Sequence, residues 1–117
     1  MPQSLEALKL RLREFAAERD WQQFHSPKNL AMALIVEAAE LVEHFQWLSE
    51  SESEDLSPQR RQQVAHELAD ILVYLVRLAD RLDIDLLRSV DEKLKLNAEK
   101  YPAERVRGSA KKYTEYE

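Results

Sequence analysis

The sequence predicts an all-α protein, an antiparallel four-helix bundle completed by oligomerisation. Three observations predict it. Apolar residues recur at helical spacing nearly throughout the 117 residues. The chain holds one Gly and four Pro, too few positive-φ positions for the many turns of a β-sandwich or barrel. The breaks between periodic segments are short, which makes consecutive helices antiparallel neighbours. The length is that of one domain, residues 1–117, with a core over about residues 4–101 and a basic tail over 102–117.

The first helix is expected over about residues 4–19, with Ser4 as N-cap and Leu5, Leu8, Leu12 and Phe15 as its apolar stripe. Residues 20–27, DWQQFHSP, break the pattern, and Pro27 forces Ser26 into an extended conformation. The second helix is expected over about residues 28–48. Its stripe runs Leu30, Leu34, Glu37, Leu41, His44 or Phe45, and Leu48, so a carboxylate lies on the apolar side. The SESESED run that follows reads as a solvated acidic loop. Ser57 and Pro58 read as N-cap and first position of a third helix over about residues 58–82. Its stripe is Val64, Leu68, Ile71, Leu75, Leu78 and Leu82, and Ala65, Ala69, Leu72, Val73, Val76 and Ala79 carry apolarity almost round the helix. A helix apolar all round is a buried one. Three other helices of so small a chain can hardly cover it, so partner copies are expected. Asp85 caps a fourth helix over about residues 86–100, stopped by Pro102.

Composition removes several function classes. With no Cys there is no disulfide, thiolate zinc site, iron–sulfur cluster or Cys nucleophile. One Gly cannot build a Gly-rich phosphate loop. The N-terminus lacks a basic start followed by an apolar run, and the longest apolar stretch, residues 30–36, is far too short to span a bilayer. A cytoplasmic location and no membrane partner are expected. The net charge of −5 is unevenly spread. No Lys or Arg lies between Lys28 and Arg60, whereas residues 100–112 carry a net +4, a natural clasp for a neighbouring site. The acidic body disfavours duplex nucleic acid and favours a cation, or an anion that arrives with cations.

Two carboxylate pairs sit on or beside the apolar stripes: Glu37 with Glu40, and Glu67 with Asp70. A spacing of three puts each pair on one helix face. Four carboxylates converging in a bundle repel one another and suffer desolvation unless a cation neutralises them. Oxygen-only ligands suit hard divalent ions, Mg2+ or Mn2+. A di-iron bundle would need Glu-x-x-His, and neither His44 nor His66 has an acid three residues before it. Ordinary solvated helix acids remain the alternative. Trp21, Phe24, Trp47 and Tyr74 could sandwich a nucleobase or simply pack a bundle edge. Lys93, Asn97 and Lys100 share one helix face that could hold phosphates or face water.

Four strings occur in order: RDWQQFH at 19–25, EAAELVEHFQW at 37–47, ELADILVY at 67–74 and NAEKYP at 97–102, with 26 residues between Glu40 and Glu67. Together they resemble the MazG-like all-α nucleoside triphosphate pyrophosphohydrolases, in particular the dCTP pyrophosphatase branch. The resemblance implies Mg2+-dependent cleavage between the α- and β-phosphates, to a nucleoside monophosphate and pyrophosphate. It implies metal ligation and catalysis by Glu37, Glu40, Glu67 and Asp70. It implies base and sugar contacts from Trp21, Gln22, Gln23, Phe24, His25, Trp47 and Tyr74, and phosphate contacts from Lys93, Asn97, Lys100 and Tyr101. It implies a homodimer or homotetramer, and a house-cleaning role against dCTP or C5-modified dCTP. One departure is Leu12, which aligns where the vertebrate dCTP enzymes carry a substrate-contacting His. Another nucleotide such as dUTP or phosphoribosyl-ATP is the second reading, and a non-catalytic helical oligomerisation module is the third.

Overall fold

Local side-chain chemistry sets most helix ends in the computed structural model, which describes residues 1–110. Helix α1 spans Leu5–Glu18, and Ser4 Oγ accepts from the Ala7 amide at 3.0 Å. It stops abruptly because Asp20 takes a left-handed φ of 53°. The Asp20 amide then donates to the Ala17 carbonyl at 3.1 Å, and the Trp21 amide to the Ala16 carbonyl at 2.9 Å. This pair of bonds is a Schellman stop, built on one of the few non-glycine residues that tolerate left-handed backbone. A 3-10 helix, Gln22–Phe24, follows. Extended Ser26 caps α2, Pro27–Glu43, with Pro27 at the first helical position.

Helix α2 thus begins one residue before the expected start and ends five residues before the expected end. Two features terminate it. Residues 44–48 tighten into turns, with the Phe45 amide donating to the Val42 carbonyl and that of Leu48 to the Phe45 carbonyl, each at 2.9 Å. Ser49 must be extended, because with Glu52 it forms a reciprocal capping box on α3, Glu50–Ser53. The acidic run expected as loop therefore contains a helical turn. The freed His44 carbonyl accepts from Arg60 at 2.9 Å. Ser57 caps α4, Pro58–Arg81, as expected, and Asp85 caps α5, Leu86–Lys100. Helix α6 is the short Ala103–Val106, within the expected basic tail. Lys111 and Lys112 of that tail lie outside the described residues. Among the described residues there is no strand, and no helix is long and apolar enough to cross a membrane.

The chain divides into two compact units, Met1–Asp83 and the residues from Ile84 onward. In the first, α4 is the shared partner: α2 packs along it, and α1 packs against it too. Among the described residues the buried apolar ones are few: Ala16 of α1, Leu30 of α2, and Val64, Val76 and Ala79 of α4. The expected α4 stripe is buried only in part. Val64 is buried and Ile71 and Leu78 are half-buried, but Leu68 is 52% exposed, and Leu75 and Leu82 are also exposed. On α2, Met32, Ile35, Val36 and Val42 are exposed as well. Both helices are apolar nearly all round, and α1, α2 and α4 cover only part of one another. In the second unit, Leu87, Val90 and Leu94 form an exposed apolar stripe on α5.

One charged group lies inside this small core. Arg77 of α4 is only 4% exposed. Its Nη1 reaches Asp80 Oδ2 at 3.5 Å, and Asp80 in turn takes a fork from Arg13 of α1, with Nε at 2.8 Å and Nη2 at 2.6 Å. A bidentate guanidinium–carboxylate pair is strong and directional, so it also fixes the docking of α1 on α4. The Arg13 hydrogen bonds hold the Asp80 carboxyl below its ordinary pKa of 3.8. A depressed folded-state pKa means that this pairing stabilises fully above the ordinary value and is lost as pH falls through the folded one. Asp80→Asn leaves the buried Arg77 without its counter-charge and is expected to cost about 3 kcal/mol in urea unfolding at neutral pH. The gap to the unsubstituted protein should narrow in acid; an undiminished gap at about pH 2 would show that the charge of Asp80 is not what matters.

Candidate active site

Glu37 sits in the middle of α2 between Leu34 and Leu41, on the stripe that turns inward. Glu67 holds the equivalent place on α4, between Val64 and Ile71, and Asp70 lies one turn on at the exposed edge. Packing of α2 on α4 brings one carboxylate oxygen from each of Glu37, Glu67 and Asp70 within 4.8 Å of the others. Oε2 of Glu37 and Oε2 of Glu67 are buried and accept no hydrogen bond. An unpaired buried carboxylate oxygen is strongly unfavourable. Removal from water, then the close approach of the Glu40 and Glu67 carboxyls, then the charges of Glu40 and Asp70 push the Glu37 carboxyl from 4.5 up to about 7. The Tyr74 hydroxyl feels the same field: burial, then Glu37, Asp70 and Glu40, push its pKa up.

This donor set fits a hard divalent cation. It offers oxygen alone, two of its lone-pair sites are unused and buried, and its surplus negative charge needs a counter-ion. Of the four expected ligands the structure brings three together. Glu40 lies beside Glu37 and acts on it electrostatically, but is outside the group of three.

The expected base-contacting residues separate by role. Trp21, 43% exposed, is braced edge-on by Phe15 at 5.8 Å between centroids, and the Arg19 guanidinium lies over the Phe15 ring, 3.6 Å from its centre. The His25 ring lies 6.3 Å from Trp21 at 56°. Gln23 turns back on Asp20, donating to its carbonyl at 3.0 Å and its carboxylate at 3.1 Å, so its amide nitrogen closes the turn. The Gln22 carbonyl accepts the His25 amide at 3.2 Å. Phe24 is exposed, and its carbonyl takes the Asn29 side chain at 3.1 Å, which ties the loop to α2. Trp47 stands 87% exposed in the turn after α2, and among the described residues it makes no ring contact with Trp21. Lys93, Asn97 and Lys100 lie on α5 in the second unit, where Tyr101 closes the helix by donating its amide to the Asn97 carbonyl at 2.8 Å.

Arg77 is the residue that sequence reasoning did not single out. Its Nε donates to His25 Nδ1 at 3.3 Å. Burial, then the charges of Arg77 and Arg81, push the His25 pKa down. The available signal was a lone Arg inside an otherwise apolar run, sharing one edge of α4 with Glu67, Asp70 and Tyr74 at steps of three, four and three.

Comparison with known proteins shows the family. The MazG-like family model matches residues 32–116. The chain is 50% identical over 104 residues to dCTP pyrophosphatase 1 of Rattus norvegicus, covering 87% of this chain and 61% of that protein. It is 49% identical over 104 residues to dCTP pyrophosphatase 1 of Homo sapiens, with the same coverage of each. It therefore spans about three-fifths of the length of the curated relatives it matches. A pyrophosphatase from Archaeoglobus fulgidus, known from a crystal structure, superposes with a TM-score of 0.81 at 40% identity, covering 87% of this chain and 95% of that one. With its carboxylates gathered between two helices and this degree of likeness, the chain belongs to the MazG-like family.

Proposed function

We propose that this chain is a Mg2+-dependent pyrophosphohydrolase acting on a deoxynucleoside triphosphate, dCTP or a C5-substituted dCTP first, in a house-cleaning role. One observation carries the reading. Glu37, Glu67 and Asp70 converge, with two buried unpartnered oxygens, in a chain half identical to proteins named dCTP pyrophosphatase 1. Water attacks the α-phosphorus, the bond to the bridging oxygen breaks, and pyrophosphate leaves. Glu37, Glu67 and Asp70 would hold the Mg2+, which when bound would neutralise their surplus charge and supply Lewis-acid polarisation of the phosphoryl group. To Glu40, beside Glu37 but outside the group of three, we assign the attacking water: it orients the water and takes its proton.

Trp21 and Trp47 supply the stacking faces for the pyrimidine, with Phe24, Tyr74 and the loop glutamines lining the site. The phosphate-contacting role that the family resemblance implies stays with Lys93, Asn97, Lys100 and Tyr101 of the second unit. The whole chain acts as one domain whose four-helix bundle is completed in a homodimer or homotetramer. The support for assembly is apolar exposure: Ile35, Val36, Leu68, Leu72 and Leu94 are too many large exposed side chains for a lone protomer of this size.

The deciding experiment is pyrophosphate release from the eight common ribo- and deoxyribonucleoside triphosphates and 5-methyl-dCTP, with and without Mg2+. Mg2+-dependent turnover of dCTP and its C5 derivative is expected. Preference for dUTP or another nucleotide would keep the chemistry and change the substrate, and no turnover with any would leave a binding module.

Glu37→Gln should lower kcat more than about 100-fold. A carboxyl raised from 4.5 to about 7 makes the metal-free fold most stable in acid and weaker as pH rises through that range. The variant escapes this loss, so without metal it should melt above the unsubstituted protein at about pH 8 and level with it at about pH 4. Equal melting at both would remove the carboxylate repulsion. Trp47→Ala should raise KM about tenfold with a smaller change in kcat, and an unchanged KM would take Trp47 out of the base site. Light scattering should return a multiple of 13.7 kDa, whereas that mass itself would overturn the assembly.

A further inference from the structure

We propose that Arg77 is a positioning residue that fixes His25 as a neutral imidazole protonated on Nε2, making it a one-way donor that selects cytosine over uracil and thymine. The proposal rests on the reading of the site as a nucleotide site. It starts, however, from a contact that reading did not use. Arg77 is buried within a small apolar core, and its Nε points at His25 Nδ1 rather than at a carboxylate. The guanidinium has only donors and does not lose its proton in proteins. The nitrogen it faces must therefore carry a lone pair. A neutral imidazole that accepts at Nδ1 carries its proton at Nε2.

The surroundings hold that state. Arg77 and Arg81 both oppose a second proton on the ring. Asp80, the carboxylate that pairs with Arg77, is itself occupied by the Arg13 fork. Asp80 thus anchors the guanidinium from behind, while its Nε carries the orientation forward to His25. The ring also stands beside an aromatic face on which a base would stack. It forms a second wall beside the part-exposed Trp21, at 6.3 Å and 56°. Glu67, Asp70, Tyr74 and Arg77 share one edge of α4, and Asp70 to Arg77 is about 10 Å of helix. That is the reach from an α-phosphate to the far edge of a pyrimidine.

A fixed N–H donor discriminates by chemistry. N3 of cytosine offers a lone pair, whereas N3 of uracil and thymine carries a hydrogen, so the same donor would meet a donor. Leaving site groups unpaired is an effective way to reject a near-isostere. Reading at N3 leaves C5 untouched, which fits acceptance of C5-substituted dCTP.

The first test needs no substitution and no nucleotide. Long-range nitrogen–proton NMR on the full 15N-labelled chain at neutral pH should show His25 as the Nε2–H tautomer. An Nδ1–H tautomer or an imidazolium would overturn the proposal. In the second test, Arg77→Met keeps the apolar stem and removes the donor. It should mix the His25 tautomers and lower the ratio of kcat/KM for dCTP over dUTP about tenfold, mainly through KM. Arg77→Lys, which keeps a donor, should restore part of both. An unchanged tautomer and an unchanged ratio in Arg77→Met would also overturn the proposal. If Arg77→Met fails to fold, the NMR of the unsubstituted chain decides alone. If the chain turns over no nucleotide, the functional reading fails, while the tautomer still decides the Arg77–His25 pairing.

Discussion

The contact of α2 on α4 is a hydrophobic interface with carboxylates set into it. Apolar packing brings the helices together, and the same approach forces Glu37, Glu67 and Asp70 to within 4.8 Å. Each helix turn that improves burial worsens the electrostatics. A chain selected for stability alone would place Leu at position 37 and continue the stripe. The strain is tolerated because the flanking positions, Leu34, Leu41, Val64 and Ile71, hold the backbones in place. The two opposed requirements meet in one set of side chains, so the site is rigid without being stable on its own account.

A second charged system answers the first from the other end of α4. The carboxylate cluster has surplus negative charge near the start of the shared edge. Arg77, with Arg81 beyond it, brings positive charge toward the end of the helix. Under the proposed function, a substrate with an anionic phosphate tail and a neutral, acceptor-bearing ring would lie along such a helix with its tail toward the carboxylates, where a cation would mediate its approach, and its ring toward Arg77.

The sequence makes local features legible and leaves long-range ones obscure. Ser4, Ser57–Pro58 and Asp85 could be read as caps because capping is decided within three residues. Ser26–Pro27 carries the same signature as Ser57–Pro58, yet reads as a break because the preceding loop is rich in aromatic and amide residues. The second helix over-ran because apolar spacing continues through Phe45 and Leu48, and a capping box at Ser49 overrides it. Glu37 could be found because it interrupts a stripe. Arg77 could not be assigned a role, since its partner His25 is 52 residues away and no periodicity links them. The α4 stripe misplaced the core for a related reason: when nearly every face is apolar, spacing does not say which faces meet.

The loop between α1 and α2 has a consequence for recognition. It is tied at its start by the Schellman stop at Asp20, across its middle by Gln23 on Asp20, at Phe24 by Asn29, at His25 by Arg77 and at its end by the Ser26 cap. A segment so fastened has surrendered its conformational freedom during folding rather than at encounter. A ligand docking between Trp21 and His25 then meets a surface already in shape, and the ordering entropy that flexible recognition loops lose on binding does not weaken its affinity.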